Sequence, residues 1–216
     1  MIAEPDVALT DYALAVESFL FSFWLHRSHP SNSLKLWFVL LFGSIGAAAL
    51  VGGTVHGFLT DPNSPMTRFS WLITLIFLGI TALSEYGIAA RLLLTPRSGN
   101  VLIFAAVLIF AMYVATILLW NTSFRIAIID YLSGLVFLLL AFVGTYSRHR
   151  SRPALVGVVG LLLTVAASVV QQAHISIDPR YFNHNAFYHL LEAIALLLIY
   201  WAARSLVRIT VPWENR

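Results

Sequence analysis

Apolar residues occupy seven long stretches of the chain, and short clusters of proline, glycine, asparagine and charged residues separate them. A helix needs about 20 mostly apolar residues to cross a hydrocarbon core of about 30 Å. Helix-breaking pairs such as His29-Pro30, Asp61-Pro62 and Asp178-Pro179 mark the breaks. The pattern predicts seven membrane-spanning helices near residues 11–26, 34–59, 68–93, 100–120, 124–146, 153–174 and 184–208.

The composition agrees with this pattern. The 216 residues are 59% hydrophobic and 11% charged, whereas soluble domains have roughly 45–50% and about 25%. We therefore expect an all-α integral membrane protein, a seven-transmembrane-helix bundle that forms a single domain over residues 1–216. Cysteine is absent, which excludes disulfides and thiolate metal ligands. The few basic residues are scattered at helix ends, so nucleic acid is not an expected partner.

The distribution of lysine and arginine predicts the direction of the bundle. Ten of the 13 basic residues fall at the connections after spans 1, 3 and 5 or in the last turn and the tail of the chain. The other side holds only Arg68, Arg125 and Arg180. Because cytoplasmic loops carry the excess of positive residues, the N-terminus is expected outside and the C-terminus in the cytoplasm. The expected location is a prokaryotic cytoplasmic (inner) membrane.

This topology gathers the polar residues of the spans at one depth. An ionisable side chain in the membrane costs at least about 2.5–3.5 kcal/mol, so each is a candidate for function. Nearly all lie in the outer half of the predicted bundle, and Glu85 stands alone in the inner half. The sequence therefore predicts a polar site in the outer half, with contributions from Asp11, Glu17, His56, Asp130, Gln171, His184, Asn185, His189 and Glu192.

The histidines of this group have the chemistry of metal ligands. Three protein ligands and a water form a catalytic zinc site, and His56, His184 and His189 supply three imidazoles. His184 precedes His189 by five positions, about 140° around an ideal helix. It can join the site only if the last helix begins at about Asn185. A single histidine can also serve only as a hydrogen-bonding residue between helices.

The acids and amides receive supporting roles in this prediction. Zinc-bound water becomes a nucleophile near neutral pH, and Asp130, Glu17 or Asp11 is expected to act as the catalytic base. A ligand or cofactor is expected to contact Asn185, Glu192 and Gln171. Asp11 also follows Thr10 at the start of the first apolar run, where it could simply cap the helix.

Two segments carry a resemblance to a known superfamily. They are Gly52-Gly53-Thr54-Val55-His56-Gly57 and Asn183-His184-Asn185-Ala186-Phe187-Tyr188-His189. The chain resembles the seven-helix alkaline ceramidases, progestin and adiponectin receptors (hemolysin III relatives) and Per1-like proteins. The resemblance implies three histidines that bind zinc, and cleavage of amide bonds in lipids. The sequence differs at Gly52, where the family has a serine, and at Asn185, where it has a histidine.

The expected function is metal-dependent hydrolysis of an amide or ester in a membrane lipid or lipid-like substrate. One alternative is a haem protein with His56 and His189 as axial ligands. Another is a non-catalytic membrane sensor or small-ligand binder that uses the same residues. A retinal protein is excluded, because the only lysine, Lys35, lies at a predicted cytoplasmic helix end.

Overall fold

The computed structural model describes residues 2–209, and within them the regular structure is helical throughout. Each of the seven helices is long and apolar enough to cross a membrane. The prediction of an all-α bundle with seven potential membrane spans is therefore confirmed. The helices are α1 (Pro5–Arg27), α2 (Ser33–Phe58), α3 (Pro65–Leu93), α4 (Pro96–Leu119), α5 (Phe124–His149), α6 (Arg152–Gln172) and α7 (His184–Ile209).

Most helices begin at a residue that suits a helix N-terminus. A side-chain oxygen at the N-cap accepts a backbone N–H of the first turn, which would otherwise lack a partner. This contact occurs at Asn32, Ser64, Thr95, Ser123 and Ser151. Proline also occupies the first turn of α1, α3, α4 and α6, where its missing N–H costs nothing. Local chemistry thus explains where the breaks between spans fall.

One predicted helix start is corrected by the structure. The first helix begins at Pro5 and not near residue 11, so Asp11 lies in its second turn and does not cap it. The last helix begins at His184, as predicted, so the start near Asn185 that His184 would need to join the site does not occur. Asn183 precedes this helix, and its side-chain oxygen accepts the N–H groups of Asn185 and Ala186 at 2.8 and 3.2 Å.

The helices form a ring of six with one helix outside it. Around the ring, neighbours are α1 with α2, α2 with α3, α3 with α5, α5 with α6, α6 with α7, and α7 with α1. Helix α4 packs mainly against α3 and is the least buried of the seven. The ring leaves a space along its axis that α4 does not reach.

Aromatic packing fills that axis away from the predicted site. Phe21 of α1 stacks on Tyr200 of α7 with ring centroids 4.3 Å apart, and Phe42 of α2 packs edge-on against both rings. Lys35 lies at the same end, where its Nζ donates to the carbonyls of His26 and Ser28 at 3.2 and 3.0 Å. The aromatic rings therefore occupy the axis at this end, and the central cavity lies nearer to the other end.

Candidate functional site

We call the end at which α1, α3, α5 and α7 begin the site end. Contacts between distant segments tie it together. The backbone N–H of Ala3 donates to the Gly57 carbonyl at 3.0 Å, and that of Asn183 donates to Asp6 Oδ2 at 2.9 Å. The start of α1 is thus bound both to the end of α2 and to the approach to α7.

A cavity of about 770 Å³ opens within the ring near the site end. All six ring helices line it, and most lining residues are aliphatic or aromatic. This volume lies within the range of about 300–1,000 Å³ that is typical of small-molecule sites. Its strongly polar side chains come from the first two or three turns of their helices, counted from the site end. They are Asp11, His56, Gln171, Gln172, Asn185, His189 and Glu192.

An acid and a histidine in the cavity join α1 to α7. His189 Nε2 lies 3.3 Å from Asp11 Oδ1, and both side chains are about nine-tenths buried. On the other side of the imidazole, His189 Nδ1 lies 3.0 Å from Thr10 Oγ1. Two neighbours in sequence, Thr10 and Asp11, thus hold the imidazole from both sides.

The hydrogen-bond donors around His189 indicate that a proton lies between His189 and Asp11. The single hydroxyl hydrogen of Thr10 faces the Asp6 and Val7 carbonyls at 2.8 and 3.0 Å, which can only accept. The hydroxyl therefore accepts from His189 Nδ1–H. Nε2 and the Asp11 carboxylate would then be two acceptors in contact, so one proton lies between them. The pair can give or take that proton, as general acid–base chemistry requires.

Glycine at position 53 makes this arrangement possible. A Cβ at Gly53 would lie 2.8 Å from Asp11 Cβ and 3.3 Å from the Ala8 carbonyl. Only glycine lets α1 approach α2 this closely. At the neighbouring Gly52, a Cβ would meet nothing nearer than Thr74 Cγ2 at 3.8 Å. Gly52 therefore borders open cavity, whereas Gly53 is a packing contact.

His56 lies at the end of α2 on the rim of the same cavity. Its Nδ1 is 2.9 Å from Glu4 Oε2, and the pair is partly exposed. The contact leaves Nε2 as the other ring nitrogen with capacity to bind. A carboxylate on one imidazole nitrogen is the usual way to orient the other for a ligand.

The amide and acid candidates line the cavity with α6. Gln171 Nε2 donates to Asn185 Oδ1 at 3.2 Å. Thr164 Oγ1 donates to Glu192 Oε1 at 3.3 Å, while Glu192 Oε2 is buried and has no hydrogen-bond partner among residues 2–209. The structure therefore brings together five predicted side chains besides His56: Asp11, Gln171, Asn185, His189 and Glu192.

His184 does not join them. Its Nε2 lies 3.1 Å from His174 Nδ1, and His184 is not among the residues that line the cavity. The reason is helical geometry: α7 begins at His184, so the side chain points well away from His189. Within residues 2–209, no three His, Asp or Glu side chains are placed to hold a metal ion. The three-histidine set that the resemblance implies is not formed.

The two remaining acid candidates lie elsewhere. Asp130 lines neither this cavity nor its neighbour, and its backbone carbonyl accepts from Ser133 Oγ at 2.6 Å. Glu17 lines a second cavity of about 680 Å³ between α1 and α7, and its Oε2 has no partner among the described side chains. The two cavities share only Leu14 and His189 among their lining residues. His189 thus forms part of the wall between them.

Four residues of this site were not predicted. Glu4 and Thr10 contact the histidines, and Tyr131 and Tyr188 line the cavity. Thr10 and Tyr188 each adjoin a predicted residue, so proximity in sequence was a usable signal. Glu4 was not predictable in the same way, because it precedes the predicted first helix. Its role depends on the earlier helix start at Pro5.

These features define a seven-helix bundle of membrane-spanning type with a polar-ended apolar cavity between six of its helices. The chain belongs to a family of unknown function, DUF6962, whose model matches residues 7–208. A comparison with curated proteins finds no match. The family match spans all seven helices and therefore the whole cavity.

Proposed function

We propose that the protein binds an amphipathic, lipid-like molecule in the cavity between its six ring helices. The observation that carries the proposal is the distribution of polarity in that cavity. The acids, histidines and amides gather at one end, and the rest of the lining is apolar except for a few hydroxyl side chains. A small number of placed polar groups in an apolar cavity is the usual composition of a small-molecule site.

Depth along the helices supports an orientation for the ligand. At 1.5 Å per residue, Asp11 and His189 lie about 9 and about 8 Å from the first residues of α1 and α7. The apolar wall continues to Ile45 and Leu78, both about 20 Å from the site ends of α2 and α3. A polar headgroup would therefore contact Asp11 and His189, and its alkyl chain would extend toward the middle of the bundle.

The second cavity supports access from the side. It lies between α1 and α7, and its lining includes outward-facing apolar residues such as Val16, Leu20 and Trp24. Since His189 borders both cavities, an amphiphile that enters between α1 and α7 would meet the His189 imidazole first. This route would let a lipid enter without leaving the membrane.

Binding is tested with 1-dodecanol, which has a neutral headgroup and a single chain. The purified protein in a neutral maltoside detergent is titrated, and native mass spectrometry counts the bound molecules. We expect saturation at one molecule per polypeptide, because the central cavity combines a cluster of polar side chains at one end with an apolar remainder. Adducts that rise without saturation, or no adduct, would contradict the proposal.

Metal-dependent hydrolysis of a lipid amide or ester is the second candidate. It is favoured by the two histidines, each of which has Nδ1 in contact with an oxygen. His56 Nε2 is left to bind, and His189 Nε2 lies beside the Asp11 carboxylate, which is itself a possible metal ligand. A bound zinc ion would supply an activated water there. Because no three ligands are in place among residues 2–209, metal binding would require His56 to move toward His189 and Asp11. The candidate therefore ranks below simple binding.

The same spectra separate these possibilities. A bound zinc ion adds its own mass, and His56→Ala and His189→Ala should each remove it. A haem adduct with a Soret band would instead support bis-histidine ligation. Hydrolysis additionally requires that metal-loaded protein cleave a ceramide, acyl-amide or lysolipid, and that Asp11→Asn slow cleavage while the metal stays bound.

We further propose that the site end faces the outside of the membrane. Arg148, Arg150 and Arg152 lie in or beside the connection from α5 to α6. At the site end, only Arg68, Arg125 and Arg180 lie in or beside the connections. By the positive-inside rule, the site end is then external. The N-terminus would be outside and the C-terminus in the cytoplasm, consistent with insertion in a prokaryotic inner membrane.

Reporter fusions test this orientation. A reporter that works only in the cytoplasm should be active when it is fused after Arg216. A reporter that works only outside should be active when it is inserted between Asp178 and Pro179. Replacing Arg148, Arg150 and Arg152 by glutamine in one variant should weaken the preference for this orientation, because it removes the largest group of positive charges from the end expected in the cytoplasm. Replacing Arg68, Arg125 and Arg180 by glutamine in a matched variant should not weaken the preference. The reverse reporter pattern would place the site at the inner leaflet.

A further inference from the structure

We infer that the amphiphile bound in the cavity carries a cationic amine as its headgroup. The inference rests on the proposed function and names the class of ligand. Two carboxyl groups line the cavity, those of Asp11 and Glu192, and the residues that line it include no lysine or arginine. A phosphate or carboxylate headgroup would therefore have no lysine or arginine to pair with in the cavity.

Glu192 is the side chain that points to a ligand. It is only 4% exposed, and Thr164 donates to its Oε1. The Glu192 side chain lines the cavity, and its buried Oε2 has no hydrogen-bond partner in residues 2–209. A buried polar atom without a partner is rare in native proteins and needs an explanation. An ammonium group on a ligand would supply both the missing donor and the opposite charge.

The geometry places both carboxyl groups at headgroup depth. Glu192 lies about 12 Å along α7 from the site end, and Asp11 about 9 Å along α1. His189 stands on the same face of α7 as Glu192, less than a turn away, and contacts Asp11. An ammonium between the two acids would therefore lie where the polar part of the cavity meets its apolar part.

The aromatic lining fits a cation as well. Tyr131 and Trp71 line the cavity about 11 and about 9 Å along their helices from the site end, and Tyr188 lines it at about 6 Å. Aromatic faces attract ammonium groups, and the attraction increases where water is excluded. The alkyl chain would then occupy the aliphatic remainder of the cavity, which Leu14, Ile45 and Leu78 help to form.

Three probes with one chain length test the inference: dodecylamine, 1-dodecanol and dodecanoate, titrated at neutral pH in the neutral detergent. They differ mainly in headgroup charge. We expect the amine to bind at least about tenfold more tightly than the alcohol, because charge-assisted hydrogen bonds are roughly twice as strong as neutral ones. Dodecanoate is expected to bind most weakly of the three.

Matched variants connect the preference to Glu192. Glu192→Gln keeps the shape and should reduce the amine's affinity to that of the alcohol, while the alcohol binds as before. Asp130→Asn removes a carboxyl group that lies outside the cavity and should leave the amine preference intact. Elution of each variant as a monodisperse peak, like the wild type, confirms that it is folded.

The possible failures are distinguishable. Equal binding of amine and alcohol, or tighter binding of dodecanoate, would overturn the cationic headgroup and leave the proposed binding function standing. If Glu192→Gln still binds the amine more tightly than the alcohol, the inference is overturned too, because the preference would then not depend on the Glu192 carboxyl group. Saturable binding of none of the three probes would overturn both.

Discussion

The variant Gly52→Leu should lose amphiphile binding and still fold. A Cβ at this position meets only ordinary contacts, at 3.8 Å from Thr74 Cγ2 and 3.9 Å from Asp11 Oδ2. The rest of the leucine side chain would extend into the cavity that Gly52 lines. A ligand would have to compete with it, and overpacking typically costs about 1–3 kcal/mol. At about 1.4 kcal/mol per tenfold, affinity for 1-dodecanol should fall about 5- to 140-fold.

Gly52→Ala is the matched control for this prediction. It adds a single carbon in the same place and should bind nearly as the wild type does. The measurement is the native mass spectrometry titration, together with gel filtration to establish that all three proteins are folded. Unchanged affinity in a folded Gly52→Leu protein would mean that the amphiphile binds outside this cavity.

The variant Gly134→Ala should destabilise the bundle although it adds a single carbon. A Cβ there would lie 2.5 Å from Glu85 Oε2 and 2.8 Å from the backbone carbonyl of Ala82. The Glu85 side chain could move, but the carbonyl belongs to helix α3 and cannot move alone. Helices α3 and α5 would have to separate. We expect a loss of about 1–3 kcal/mol in the free energy of unfolding.

Thermal denaturation of the purified protein measures this effect. A loss of 1 kcal/mol lowers the midpoint by about 2–4 °C in a chain of this size. Gly43→Ala is the control, because its Cβ would meet only Ser22 Oγ at an ordinary 3.5 Å. Its midpoint should stay within about 2 °C of the wild type. A Gly134→Ala protein as stable as the control would show that α3 and α5 tolerate a wider separation.

The number of helices was predictable because it depends on local properties. Length and hydropathy of each apolar run are enough to indicate a span, and six of the seven runs were predicted to within about five residues at both ends. The first helix was predicted six residues short at its start. The acidic residues Glu4 and Asp6 lowered the hydropathy there, while Pro5 in the first turn favours a helix start.

The composition of the site was partly predictable for a related reason. Once the direction of each helix is known, the distance of a residue from the helix end gives its depth. That argument correctly brought Asp11, His56, His189 and Glu192 to one end of the bundle. It could not tell which face of each helix turns inward. Asp130 and Glu17 have suitable depth but do not line the central cavity.

His184 shows that the membership of a side chain in the site can depend on a shift of one residue in the helix start. Each residue turns a helix by about 100°, so a start at His184 instead of Asn185 separates His184 from the face that holds His189. The contact with His174 follows. Zinc binding, hydrolysis and the likeness to the ceramidase superfamily stay predictions, which the metal and substrate measurements above can decide.

The sequence by itself determined the seven spans, their alternating direction and the concentration of polar residues near one end. All three follow from the bilayer acting as a solvent on each segment separately. The tertiary structure alone decided the order of helices around the ring, the exclusion of α4, the cavity, and the contacts of His189 with Thr10 and Asp11. These depend on packing between segments up to 180 residues apart, and no periodicity within one helix specifies which neighbour its polar face will meet.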